Sequence, residues 1–229
     1  MTLFSQLGGT ISERISQIRQ TVPDSVRLIA VTKQVSIAAM RQAYAAGIRD
    51  FGESRIQEAE AKQAQLQDLL DVTWHLIGHL QSNKAQRALE KFQWIHSIDT
   101  LKLAQRLNQF AAQASHRPKV LLQVKLLPDP NKYGWEVSDL LEDLLELNRC
   151  ESLSIEGLMT ILPQNLNPSE SLEVFQQTKE LASRIEQLNF AHIRMGQISM
   201  GMSGDYTSAV QAGATMIRLG RILFGDREA

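Results

Sequence analysis

Val26-Arg27-Leu28-Ile29-Ala30-Val31-Thr32-Lys33 is an apolar run that ends on a charge, and Ile37–Ala46, with apolar residues near helical spacing, follows it closely. A strand leading directly into a helix is the repeating unit of a parallel sheet. Further short apolar runs lie at Asp50–Glu53, Thr73–Gly78, Trp94–Asp99, Lys119–Leu127, Ser154–Ile161, Arg194–Met200 and Met216–Gly220. Helical stretches separate them, such as Gln57–Leu70, Leu101–Ala114 and Ser169–Leu188. Eight strands, mostly apolar on both faces, suit a sheet buried between an interior and a ring of helices. The pattern predicts an α/β fold, a single (β/α)8 TIM barrel. An extra N-terminal helix is expected from roughly Phe4 to Gln20, stopping before Pro23. No low-complexity linker or internal repeat divides the sequence, so residues 1–229 read as one domain.

Composition narrows the function classes. The 229 residues suffice for a full core, and α/β barrels commonly run to this size undivided. A net charge of −1 gives no basic footprint, which argues against nucleic acid as a main partner. No apolar run approaches the roughly 18 residues of a membrane span, so no membrane role is expected. The start, Met1-Thr2-Leu3-Phe4-Ser5-Gln6, lacks the charged-then-apolar order of an export signal. Cys150 is the single cysteine and suits a reducing compartment. A cytoplasmic protein is the expectation.

In a barrel, chemistry gathers at the C-terminal ends of the strands. Lys33 lies at such an end, on the alternating face of Ile29 and Val31. If that face points inward, the amine emerges into the mouth through an apolar collar, and desolvation raises the neutral fraction that attacks an aldehyde. Taken alone, a strand-end lysine more commonly carries its head into water. The other end of the chain bears on the choice. Barrels often bind phosphate with the loops after strands seven and eight and a following helix N-terminus. Ser199-Met200-Gly201-Met202-Ser203-Gly204 occupies the first loop, and Gly220, before Arg221-Ile222-Leu223-Phe224-Gly225, the second. Serine hydroxyls and glycine-permitted N–H groups suit a dianion. The cofactor that needs both an imine-forming amine and a phosphate cradle is pyridoxal 5′-phosphate (PLP). Arg218, inside the last run, is a buried cation that needs a partner. It either pairs with an acid such as Asp99 or Glu53, or donates to the pyridine nitrogen of the cofactor.

Other residues carry less. His75 and His79 are four apart, but the pattern places them on a strand end and a loop, and two histidines fall short of a metal site. His75 and His96 read as hydrogen-bonded residues in or near the mouth. Met195, Met200 and Met202 are expected to pack beneath the cofactor. Lys84, Arg87 and Lys91 read as a solvated helix face.

Several segments resemble one family: Val31-Thr32-Lys33, Phe51-Gly52-Glu53-Ser54-Arg55-Ile56-Gln57-Glu58, Trp74-His75-Leu76-Ile77-Gly78-His79-Leu80-Gln81-Ser82-Asn83-Lys84 and Ile95-His96-Ser97-Ile98-Asp99. Gly157-Leu158-Met159, Ser199-Met200-Gly201-Met202-Ser203, Ile217-Arg218-Leu219-Gly220 and Phe224-Gly225 extend the likeness over nearly the whole chain. The family is the pyridoxal phosphate homeostasis proteins, often called the YggS/PROSC family. The resemblance implies a barrel of the alanine racemase N-terminal type with PLP as an internal aldimine on Lys33. It further implies that Ser199, Gly201, Ser203 and the backbone around Gly220 hold the phosphate, with Arg218 facing the pyridine nitrogen. Met200 and Arg221 fall within the same site. The family usually has asparagine at the position of Ser54, so the contact to the ring substituent is missing here or bridged by water. Members are regarded as vitamin B6 carriers or regulators without a demonstrated reaction. Candidate partners are PLP-dependent apoenzymes or a regulatory protein, and a monomer is expected.

Two rivals stay open at this stage. One is a PLP-dependent racemase or decarboxylase; such barrels usually recruit an additional β domain, which is not expected after Ala229. The other is a phosphosugar lyase using Lys33 without cofactor.

Overall fold

The structure is a computed structural model and describes residues 8–114 and 117–225. It opens with α1 (Ile11–Thr21), where Thr10 and Glu13 bond each other's backbone N–H groups in a reciprocal cap. The observed helix begins at Ile11; the expected start from Phe4 falls on residues 4–7, which lie outside the described residues, and Gly9 with φ of 94° cannot continue a helix. Strand–helix units follow as β1 (Arg27–Val31), α2 (Ile37–Ala45), β2 (Asp50–Glu53), α3 (Ile56–Gln63), β3 (Thr73–Leu76) and α4 (Ala85–Lys91). Then come β4 (Trp94–Ile98), α5 (Leu101–Ala111), β5 (Lys119–Lys125), the two-residue β6 (Trp135–Glu136) and α6 (Val137–Asn148). The chain closes with β7 (Ser154–Met159), α7 (Pro168–Glu186), β8 (Ile193–Ser199), α8 (Tyr206–Gln211), β9 (Met216–Leu219) and α9 (Arg221–Phe224).

All pairings are parallel. β9 closes on β1 with Arg218 opposite Ile29, and β4 pairs with β5, so eight strands form a complete ring. β6 lies outside that ring and extends the far end of β5, pairing Val124 with Trp135. Closure leaves no free sheet edge in the barrel. The structure is thus the (β/α)8 barrel that the strand pattern predicts.

The core has two compartments. The larger lies between strands and helices and is built from Leu28, Ala30, Phe51, Leu76, Ile95, Val120, Leu158 and Leu219 against the helices' apolar faces. The smaller fills the barrel's interior with Ile29, Trp94, Leu121, Met159 and Met216. Ile29 faces inward, so Val31 and Lys33, two and four residues on, project on the same side toward the C-terminal mouth. The remaining interior is polar, and that half carries the site.

Candidate functional site: the C-terminal mouth of the barrel

A cavity of about 910 Å³ opens at the mouth, its wall including Val31, Lys33, Ser54, Ser203, Arg218 and Gly220. Lys33 lies just beyond β1, in a turn where the Val35 N–H donates to Thr32 O. A buried ionic cluster on the outer side of the sheet fixes that turn. Lys62 Nζ, on α3, donates to Thr32 O at 2.5 Å, to Glu53 Oε1 at 2.8 Å and to Glu58 Oε1 at 2.7 Å. Glu58 Oε1 also accepts the Gln34 N–H at 2.5 Å, and Thr32 Oγ1 donates to Glu53 Oε1 at 2.6 Å. The backbone on both sides of Lys33 is therefore anchored to one ammonium–carboxylate group. Burial pushes the Glu53 carboxyl up, against the pull of Lys62 and Thr32, and its Oε2 is buried with no hydrogen bond among the described residues. Burial also opposes ionisation of Glu58, but Lys62 and the Gln34 N–H outweigh it and hold that carboxyl below its ordinary range.

Across the cavity, the loop after β8 meets the start of α9. Ser203 Oγ accepts the N–H groups of Gly220 and Ile222, each at 3.4 Å. The Ser203 and Gly204 N–H groups donate to nothing among the described residues. A Cβ at Gly204 would meet nothing within 4 Å, so this backbone stands open to the cavity. A hydroxyl, unspent backbone donors and a helix start are the donor set of an anion cradle. Arg221 joins the cavity wall beside it.

Arg218 forms part of the cavity floor and is 3% exposed. Its guanidinium donates to Ser199 Oγ at 2.7 Å and to Thr160 O at 2.9 Å. Burial lowers its pKa to about 10, so it remains cationic at neutral pH. Neither acid expected as its partner is near: Asp99 Oδ2 pairs with His79 Nδ1 at 2.9 Å, and Glu53 lies outside the barrel with Lys62. Below Ser199 the interior continues as His96, His75 and Asp50, each within 2.9 Å of the next.

The predicted residues thus divide. Lys33, Ser54, Ser203, Arg218, Gly220 and Arg221 share the cavity. Ser199, Met200 and Gly201 are buried and do not line it. The Ser199 hydroxyl is engaged by Arg218 and His96, which corrects its assignment to phosphate. Met200 packs in the outer core. Gly201, with φ of 90°, sits where a Cβ would come within 2.6 Å of Ala209 Cβ, so it is glycine for contact with α8. Met202 lines the cavity instead of packing beneath it, and Met195 belongs to the outer core. His79 stacks on Tyr133 with ring centroids 3.6 Å apart, far from the role of His75 in the interior. Sequence reading missed Lys62, Glu58 and Asp50; the i,i+4 pair Glu58–Lys62 was the one local signal available.

The chain is similar to known proteins over nearly its whole length. The model of the alanine racemase N-terminal domain family matches residues 9–228. A pyridoxal phosphate homeostasis protein from Synechocystis sp. is 52% identical over 212 residues, covering 93% of this chain and 96% of that protein. Its namesake from Pseudomonas aeruginosa is 38% identical over 231 residues, covering 100% and 97%. Among solved structures, PipY of Synechococcus elongatus with PLP bound superposes with a TM-score of 0.90 at 49% identity, covering 94% of this chain and 100% of that one.

Proposed function

The chain belongs to the pyridoxal phosphate homeostasis proteins of the alanine racemase N-terminal domain family, and from that premise we propose that it holds PLP on Lys33 as a cytoplasmic, monomeric carrier. One observation carries the reading: Lys33, Arg218 and the donors around Ser203, Gly204 and Gly220 all face one cavity. PLP bound there supplies an aldehyde, a dianionic phosphate and a pyridine ring. Lys33 provides the amine for the aldehyde. Ser203 and the backbone of Gly204 and Gly220 take the phosphate, with Arg221 beside them. Ser54, at the cavity wall, is the neighbour of the ring substituent.

Arg218 sets the character of the site. A guanidinium that stays cationic donates to the ring nitrogen without surrendering its proton. An unprotonated ring is a weak electron sink, so these residues favour storage of the cofactor over carbanion chemistry. On this reading the protein is not an enzyme, and its partners are PLP-dependent apoenzymes or a regulatory protein that takes up the cofactor. The whole chain acts as one PLP-binding domain.

The test is spectroscopic. Purified protein mixed with PLP should develop the visible band of an imine, and the band should be missing in Lys33→Ala. A wild type that stays colourless with PLP but traps a phosphosugar would establish the lyase reading. Steady racemisation of an amino acid, lost in Lys33→Ala, would establish the racemase reading.

A further inference from the structure

The polar half of the barrel interior is a continuous chain from the open mouth to the opposite end. Arg218 donates to Ser199 Oγ at 2.7 Å; Ser199 Oγ and His96 Nδ1 are 2.9 Å apart. His96 Nε2 and His75 Nδ1 are 2.9 Å apart, as are His75 Nε2 and Asp50 Oδ1. Arg27 closes the far end on Asp50 Oδ1 at 2.9 Å. His75, His96 and Ser199 are each 0% exposed. Six residues from six strands form this line, and the cavity wall reaches only Arg218.

The donors and acceptors run in one direction only. Guanidinium donates and cannot accept, so Ser199 Oγ accepts from Arg218. The hydroxyl's own proton then goes to His96 Nδ1, its other described partner. That places the His96 proton on Nε2, facing His75 Nδ1 as acceptor, and the His75 proton on Nε2, facing the Asp50 carboxylate. Running the chain backward with neutral rings would set an unprotonated His75 Nε2 against a carboxylate, acceptor against acceptor. An imidazolium at His75 would avoid that clash but leave the Ser199 proton without an acceptor. It also meets the cost of burial, which holds both histidines below their ordinary value, His96 well below it. Burial opposes ionisation of Asp50 as well, yet His75 and Arg27 outweigh it and keep the carboxyl low.

We propose that Asp50, His75 and His96 are positioning residues for Arg218: they orient the Ser199 hydroxyl as a fixed acceptor and so aim the remaining guanidinium N–H groups at the cavity. The inference rests on the reading of Arg218 as partner of the pyridine nitrogen. Among the described residues no carboxylate hydrogen-bonds Arg218, Asp205 acting on it only at longer range, so its direction is set by one hydroxyl and one carbonyl. A hydroxyl alone rotates freely and accepts from any side. Its lone pairs are turned to Arg218 only because its proton is claimed by a ring whose own tautomer is fixed, two bonds away, by a carboxylate.

The test has two parts on the full-length protein. Ring-nitrogen NMR of the ¹⁵N-histidine-labelled, cofactor-free wild type should show His75 and His96 as neutral Nε2–H tautomers at neutral pH. An Nδ1–H tautomer or an imidazolium at either position overturns the relay. The second part compares PLP with its 1-deaza analogue, which lacks the ring nitrogen. Wild type should prefer PLP by about tenfold or more, as one charge-assisted hydrogen bond implies. His96→Phe should reduce that preference toward unity, with His96→Gln as the alternative where phenylalanine does not fold. Undiminished preference in a folded variant overturns the positioning role. If wild type itself shows no preference, the pyridine reading of Arg218 fails, while the tautomers still decide the relay separately.

Discussion

Two imidazoles kept neutral inside the barrel leave a thermodynamic mark. His75 and His96 are held below their ordinary value by burial, so under mildly acid conditions the unfolded chain binds protons that the folded chain refuses. Stability contributed this way is complete above pH about 6.5 and is lost as pH falls, by about 1.4 kcal/mol per pH unit for each proton refused. Glu53, Asp99 and Asp205, raised by burial, act in the opposite sense in the acid range. The difference between wild type and His96→Phe removes those shared contributions. Urea denaturation from pH 6.5 to 5.5 should show the variant losing stability less steeply than wild type, by about one proton. Equal slopes would mean that His96 is charged in the folded state. The predicted site residues were legible in their chemistry but not in their contacts. Ser199 looks like a phosphate ligand in its small-residue loop, and only the approach of strands that are distant in sequence reveals Arg218 and His96 on its hydroxyl.

The β1–α2 turn and α3 show how elements position the amine. Lys62→Met would leave Glu53 buried without its cation, and breaking such a pair costs about 3–5 kcal/mol. Urea melts should show that loss, and the Glu53→Gln, Lys62→Met double variant should recover much of it; a double variant as unstable as the single would place the loss elsewhere. Most of the eight strands could be read from the sequence because both of their faces are buried, which leaves short continuous apolar runs. Strand ends were less legible: Thr32 and Lys33 extend the apolar run of β1 but turn away under the pull of Lys62. The helix expected through Leu70 ends at Gln63, where successive tight turns bring Leu66 into the core. β6 escaped notice because two residues give no period. The interior relay was invisible for another reason. Residues 50, 75, 96, 199 and 218 share no local spacing, and only closure of the barrel brings them into line.

At the scale of the whole molecule, the fold places an amine from the first strand opposite an anion cradle from the last two, with a directed guanidinium beneath. Among the described residues no helix is long and apolar enough to cross a membrane. If the cradle contributes most of the binding, pyridoxal should bind far more weakly than its phosphate in both wild type and Lys33→Ala, because several charge-assisted hydrogen bonds of about 1.5–3 kcal/mol each are lost together. Equal affinity in a titration of the two vitamers would remove the cradle between Ser203 and Gly220. The central claim is that Lys33 carries the cofactor. Borohydride reduction of the PLP-loaded protein, followed by peptide mapping, tests it most directly. A single pyridoxyl group on Lys33, absent in a folded Lys33→Ala variant that still retains PLP through its phosphate, is the predicted result. Label on another lysine in the wild type, or undiminished labelling of Lys33→Ala, would contradict it.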